Sequence, residues 1–233
     1  MTAIPLALVG MGRMGRALAQ LAAERGFTVV ATLDHGDAID RTSLGGAAVA
    51  IEFTVPDAAA ANVRACVAAG VPVVSGTTGW YDQRDAVAAE VRAAGGALLT
   101  APNFSLGVAI FDRVVAEAAR LFAGIEGFDA HLVETHHTAK KDAPSGTAAS
   151  LAASAERASG RAMPITSVRV GSVPGTHEVV FDGAFEQVRL VHEARDRRVF
   201  AEGALAAARW LVGRQGVFSM QDVLSPAPAG GDS

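Results

Sequence analysis

Cysteine is almost absent from this chain of 233 residues, with Cys66 the only one. A single thiol closes no internal disulfide, so nothing points to an oxidising compartment. Cys66 sits in the helical pattern Asn62-Val-Arg-Ala-Cys-Val-Ala and reads as a small buried apolar residue rather than a catalytic thiol. A basic excess is missing too. Twenty Lys and Arg face 24 Asp and Glu, a net charge of −4, which argues against a nucleic-acid-binding face. No apolar run reaches the length of a membrane span. The opening Met1-Thr-Ala-Ile-Pro-Leu-Ala-Leu-Val-Gly has no basic leader and runs straight into glycine, so it reads as a first strand rather than a signal peptide. Neither nucleic acid nor membrane is expected as a partner, and the cytoplasm is the expected location. Repeats of solenoid type are absent.

What is present suits a globular enzyme: half the residues are hydrophobic and 19% are charged. The chain is long enough to bury a core as one domain or two small ones. Its first hundred residues alternate short apolar runs with Ala-rich amphipathic stretches. Strands are expected at 4–9, 28–33, 49–53, 72–75 and 97–100, and helices at 14–25, 57–69 and 84–94. Such alternation with short links means βαβ units and a parallel sheet. The rhythm changes after Asn103. Helices are expected at 108–122 and 145–159, and a strand at 130–134. Three alternating runs at 167–173, 177–182 and 186–194 are joined by Pro174-Gly175 and Asp182-Gly183. Strands in series predict an α+β domain with a mixed or antiparallel sheet. A last helix is expected at 203–211, then a Pro-, Gly- and Ala-rich tail at 225–233 that reads as disordered.

Gly10-Met11-Gly12-Arg13-Met14-Gly15 follows the first strand and opens the first helix. Glycines there let the backbone turn tightly and approach a pyrophosphate, whose charge meets the helix N-terminus. That motif alone is weak evidence. The strand–turn–helix context, and an acidic Asp34 closing the next strand at the expected distance, favour dinucleotide binding over a merely structural turn. Asp34 suits the adenosine ribose hydroxyls and repels a 2′-phosphate, so NADH is expected to serve at least as well as NADPH. Gly76-Thr77-Thr78-Gly79 and Ala101-Pro102-Asn103-Phe104-Ser105 follow the fourth and fifth strands, at the carboxyl ends where open sheets bind ligands. Each is equally readable as an ordinary turn.

The richest stretch is Glu134-Thr-His136-His137-Thr-Ala-Lys140-Lys141-Asp142-Ala-Pro-Ser145-Gly146-Thr147. Two histidines and two lysines lie just ahead of a helix start. Cations and free helix N–H groups make an anion site, and a histidine beside it can donate a proton near neutral pH. The plainer alternative is a solvated basic loop. A metal site is disfavoured because the spacing matches no zinc motif and there is no cysteine partner.

This segment resembles the signature of 4-hydroxy-tetrahydrodipicolinate reductases, also called dihydrodipicolinate reductases. The likeness continues through Glu52-Phe-Thr54, Ser75-Gly-Thr-Thr-Gly79, Ala101-Pro-Asn-Phe-Ser105, Arg169-x-Gly171, Gly175-x-His177 and His192-x-Ala-x-x-Arg197-x-x-Phe200. Two departures stand out. The glycine loop is one residue shorter than the family's between its first two glycines. The stretch from Asp34 to Glu52 is short, so one βα unit of the cofactor domain is expected to be trimmed.

The resemblance implies an α/β fold. A Rossmann-type domain would span 1–105 and 198–233, and a substrate and oligomerisation domain 106–197, with hinges near 104–107 and 197–203. It implies NADH- or NADPH-dependent reduction of a small cyclic dicarboxylate in lysine and diaminopimelate biosynthesis, by a homotetramer. Gly10, Met11, Gly12, Arg13, Met14, Gly15, Asp34, Gly76, Thr77, Thr78, Ala101, Pro102, Asn103 and Phe104 would hold the cofactor. Lys140, His137 and the N–H groups of Gly146 and Thr147 would hold the substrate. His136 would be the general acid, and Lys140 would share the catalytic work. Hydride has to pass from cofactor to substrate, so a cleft between the domains is expected. Two other readings share parts of this pattern: a two-domain Rossmann oxidoreductase acting on a different carboxylate, and a non-catalytic NADH-binding sensor.

Overall fold

A computed structural model describes residues 2–225, so the tail expected at 225–233 lies outside the described residues from 226 on. The chain divides into two compact units. One comprises the residues up to Ser105 together with those from Arg198 on, and the other Leu106–Arg197.

The first unit carries a six-stranded, wholly parallel sheet. Its strands are β1 (Ile4–Val9), β2 (Phe27–Leu33), β3 (Val49–Glu52), β4 (Val73–Ser75), β5 (Ala97–Thr100) and, late in the chain, β10 (Gly216–Phe218), in the spatial order β10-β5-β4-β3-β1-β2. Strands β3, β4 and β5 are buried at every residue, which is why each opens on apolar residues, with a single polar one, Glu52, Ser75 or Thr100, at its carboxyl end. Helices α1 (Arg13–Ala22), α2 (Pro56–Ala68), α3 (Tyr81–Ala93) and α6 (Arg198–Leu211) cover the sheet. On one face Val63 and Cys66 of α2 and Val87 and Val91 of α3 pack on Ala7, Val9, Ala50, Val73 and Leu98. Cys66 is fully buried, and that burial pushes its thiol up to about 12. Pro56, at the start of α2, gives up an N–H that has no partner in a first turn anyway. From Asp34 to Ala48 there are only turns and bends, so no helix links β2 to β3. Leu44, fully buried, and Ile39 fill that side of the core instead.

The second unit pairs two long helices with a four-stranded mixed sheet. The helices are α4 (Leu106–Ala123) and α5 (Gly146–Ser159). The strands are β6 (Phe128–His136), β7 (Ile165–Arg169), β8 (Thr176–Gly183) and β9 (Gln187–Glu193), ordered β7-β6-β8-β9. β7 runs parallel to β6, and the other pairs are antiparallel. Phe111, Val115 and Ala119 of α4 and Leu151 and Ala155 of α5 pack on Leu132, Val179 and Phe181. Ser145 caps α5, its hydroxyl accepting from the Ala148 N–H, and Gly160 ends that helix in the left-handed region.

Several expected boundaries move. The strand expected at 167–173 is β7, and it stops at Arg169, where its partner β6 ends at His136. Gly171, at φ +52°, then turns the chain. Helix α6 begins at Arg198 rather than 203. β10 and α7 (Met220–Val223) were not expected. Among the described residues no helix is long and apolar enough to cross a membrane.

Candidate active site

In the first unit the strand order reverses across β1, whose neighbours are β2 and β3, and the glycine loop emerges at that point. Two of its glycines are required by the fold itself. A Cβ at Gly10 would lie 2.1 Å from the Phe53 carbonyl oxygen, and one at Gly15 would lie 2.0 Å from that of Gly10. Gly12 differs: nothing lies within 4 Å of where its Cβ would be. Gly12 also precedes the first turn of α1, which has no side-chain cap and no acidic residue. The first amides of α1 therefore look onto open space at the positive end of a helix, which fits a pyrophosphate. Arg16 steadies the loop by donating to the Met11 carbonyl (3.0 Å). Arg13 and Met14 begin α1.

Asp34 is exposed at the end of β2, where one carboxylate oxygen accepts from the His35 N–H (2.9 Å). Three further loops converge at the same sheet edge. The Phe53 ring lies against Gly76, where a Cβ would come within 2.1 Å of it, and packs edge-on against Phe104. Beneath them Glu52 is wholly buried. It accepts from the Thr54 N–H (3.0 Å) and hydroxyl, the Ser75 hydroxyl (2.6 Å) and the Thr77 hydroxyl (2.8 Å). The side chains of Thr77 and Phe104 are thus part of the scaffold, while Thr78 and Pro102 are exposed. Ala101 is buried, and Asn103 caps the turn by accepting from the Ser105 N–H (2.8 Å).

In the second unit the alternation of β6 turns Glu134 and His136 to the same, helix-covered face. Glu134 is fully buried. Arg169 grips it with two nitrogens (2.7 and 2.9 Å), the Ser145 N–H reaches it at 3.2 Å, and His136 bonds it through Nδ1. Burial alone would raise this carboxyl, but donors from Arg169, Ser167, His136 and Ser145 outweigh it and hold the group down at about 2. His136 moves downward, because the cost of burying its charge exceeds the support from Glu134. Its ring meets that of His177 edge-on at 5.3 Å. His177 is bonded through Nε2 to the Ser145 hydroxyl (3.2 Å) and is pushed down to about 4 by burial and by the neighbouring His136 and His192.

Lys140 follows one turn after β6. Its Nζ donates to Asp142 at 2.9 Å, and the Gly146 N–H at the head of α5 donates to the same carboxylate. These donors draw Asp142 below the usual carboxylate range. A carboxylate of the chain itself therefore lies in the anion cradle formed by Lys140 and the start of α5. Thr147 is the next residue of that first turn. His137 bonds Arg197 through Nε2 (3.1 Å), adding a guanidinium to the same surface.

Sequence reasoning picked out His136, His137, Lys140, Gly146 and Thr147, and the fold gathers them at one end of β6 and α5. It gave no role to Glu134, Arg169, His177 or Arg197. Strand alternation could have exposed Glu134, since a carboxylate two residues from His136 on a buried face needs a cationic partner. The cross-strand register that supplies Arg169 has no local signal.

Comparison with known proteins covers both units. Residues 4–104 match the family model described as dihydrodipicolinate reductase, N-terminus, and residues 107–224 match its C-terminus counterpart. A protein of Stenotrophomonas maltophilia named 4-hydroxy-tetrahydrodipicolinate reductase is 44% identical over 231 residues, 91% of this chain and 94% of that one. A protein of the same name from Christiangramia forsetii is 36% identical over 234 residues, 94% of this chain and 97% of its own. Among solved structures, a dipicolinate-bound dihydrodipicolinate reductase from a Paenisporosarcina species superposes with a TM-score of 0.82 at 21% identity, over 96% of this chain and all of that one.

Proposed function

The chain belongs to the dihydrodipicolinate reductase family, and from that premise we propose the part each residue plays in the reaction. The enzyme is an oxidoreductase that reduces 4-hydroxy-tetrahydrodipicolinate to tetrahydrodipicolinate with a nicotinamide dinucleotide, in lysine and diaminopimelate biosynthesis. A biosynthetic role of this kind suits the cytoplasm. When bound, the dinucleotide supplies the hydride that reduces ring C4 as water departs.

Lys140 and the N–H groups of Gly146 and Thr147 receive one substrate carboxylate, and His137 with Arg197 adds positive charge beside it. The observation that carries this assignment is Asp142, whose carboxylate is already held by Lys140 and the Gly146 N–H. His136 donates a proton from Nε2 to C3 of the anion left by hydride addition. On the cofactor side, the loop Gly10–Gly15 and the start of α1 hold the pyrophosphate, and Asp34 takes the ribose hydroxyls with its remaining oxygen. The loops at Gly76, Thr77 and Thr78 and from Ala101 to Phe104 support the nicotinamide end. Asp37, bonded to the Asp34 N–H, puts a second carboxylate near any 2′-phosphate. NADH therefore serves at least as well as NADPH.

A homotetramer assembled through the second unit's sheet is supported by its face turned away from α4 and α5, where Val168, Val170 and Val191 are exposed; Phe185 is fully exposed at the β8–β9 turn. Loss of NADH absorbance with freshly synthesised substrate tests the assignment directly. Lys140→Ala should raise KM and lower kcat, because the clamp orients the ring as well as holding it. Unchanged kinetics would remove Lys140 from the site, and a kcat/KM for NADPH more than about tenfold above that for NADH would overturn the cofactor reading.

A further inference from the structure

Of the two nitrogens on His136, one is committed. Nδ1 bonds Glu134, whose carboxylate has no proton to give, so Nδ1 carries the hydrogen. Nε2 makes no hydrogen bond with any described residue. Neutral His136 held this way presents a lone pair at Nε2, and only the imidazolium has a proton there to deliver. Gly175 keeps that edge open: a Cβ on it would lie 2.9 Å from Nε2, and its φ of +151° disfavours any side chain.

We propose that Glu134, braced by Arg169, is the positioning residue for proton transfer, fixing the His136 tautomer and ring so that Nε2 alone donates. This rests on the general-acid role given to His136 above. In the step, the Nε2–H bond breaks and its electron pair stays on nitrogen. The proton joins the carbanion pair at C3 to make the C–H bond. The neutral imidazole keeps its Nδ1–H on Glu134 until solvent returns a proton to Nε2.

Arg169 has two effects. Its fork fixes both oxygens of Glu134, so the carboxylate cannot rotate away from the ring. Its charge also offsets part of the carboxylate's pull, so the imidazolium is not held too firmly to release its proton. The groups around His136 are Glu134 on its own strand, Arg169 on β7, His177 on β8 with His192 beyond it on β9, and Lys140 in the following loop. Only Glu134 favours the imidazolium. Arg169 and Lys140 oppose it, and so does any charge on His177 or His192.

The two partners therefore make opposite predictions. In Glu134→Gln, kcat should fall about ten- to a thousandfold, within the range a general acid contributes. The basic limb of its pH profile should move to lower pH by about one unit, with KM within about threefold. In Arg169→Gln, which leaves His136 as the one ionisable partner bonded to Glu134, the limb should move to higher pH. Nitrogen NMR of the imidazoles reads the tautomer without turnover: neutral His136 should be the Nδ1–H form in the wild type and a mixture in Glu134→Gln. Limbs moving in the same direction, a limb unmoved in Glu134→Gln, or an Nε2–H tautomer in the wild type would each overturn the proposal. His136→Asn separates the two levels. Should it keep wild-type kcat, the general-acid role itself fails. Should it lose activity while Glu134→Gln titrates like the wild type, only the positioning role fails.

Discussion

Both units keep a glutamate wholly out of water near the carboxyl end of a strand, Glu52 on β3 and Glu134 on β6. The partners differ in kind. Glu52 is met by neutral donors only, three hydroxyls and an amide from the end of β4 and the loops after β3 and β4. Glu134 is met by a guanidinium, an imidazole, a hydroxyl and one amide. Neutral donors fix where loops go and bring no further charge. Cationic donors form a network whose proton inventory can change during a reaction. On the roles proposed above, the first unit is a scaffold for a ligand that brings its own chemistry, and the second builds the chemistry into the protein.

The sharpest way to break that contrast is at His136. His136→Gln should lower kcat by about 10²–10⁴-fold with little change in KM, whereas no neutral donor to Glu52 should matter so much. Steady-state kinetics of His136→Gln beside Thr77→Val decide it. Next in size, Glu134→Ala removes the buried carboxylate that Arg169, Ser145 and His136 share and should lower the urea-unfolding free energy by more than Glu52→Gln does. Equal costs for Glu134→Ala and Glu52→Gln would erase the distinction.

The third test is pH. His177 sits at about 4 in the folded chain against an ordinary 6.5, so the unfolded chain binds the extra proton between those values. Its contribution is intact above about pH 6.5 and is lost as pH falls toward 4, amounting to about 3 kcal/mol over the window. His177→Gln should flatten the fall in unfolding free energy across that range. A slope equal to the wild type's would show that other groups govern it. Smallest, Glu52→Gln should cost about 1–3 kcal/mol and weaken NADH binding while leaving the kcat pH profile unmoved. A shifted profile would place chemistry in the first unit after all.

Much of this architecture is written locally. β1 and β5 are apolar runs ended by glycine or a turn, and their limits agree with the expected ones. The only two lysines in the chain, Lys140 and Lys141, fall in the segment that also drew attention for its histidines. Other features depend on partners far along the chain. β10 is three residues long and exists because Gly216–Phe218 finds the open edge of β5. β7 ends at Arg169 because β6 gives it nothing further to pair with, although Val170 and Val173 continue the apolar pattern. Arg169 stands out in the sequence only within the family-like Arg169-x-Gly171, with no role attached, since its meaning comes from lying beside His136 across two strands.

The Asp142 carboxylate has a consequence for discrimination. Being tethered two residues from Lys140, it is a standing competitor whose local abundance corresponds to roughly millimolar free anion. Chloride and simple monocarboxylic acids would meet that competitor with a single handle. A substrate with a second anionic arm brings additional attraction of its own and can displace the incumbent. On the substrate role proposed for Lys140 and Gly146, the loop filters its visitors by valency before any bond is made or broken.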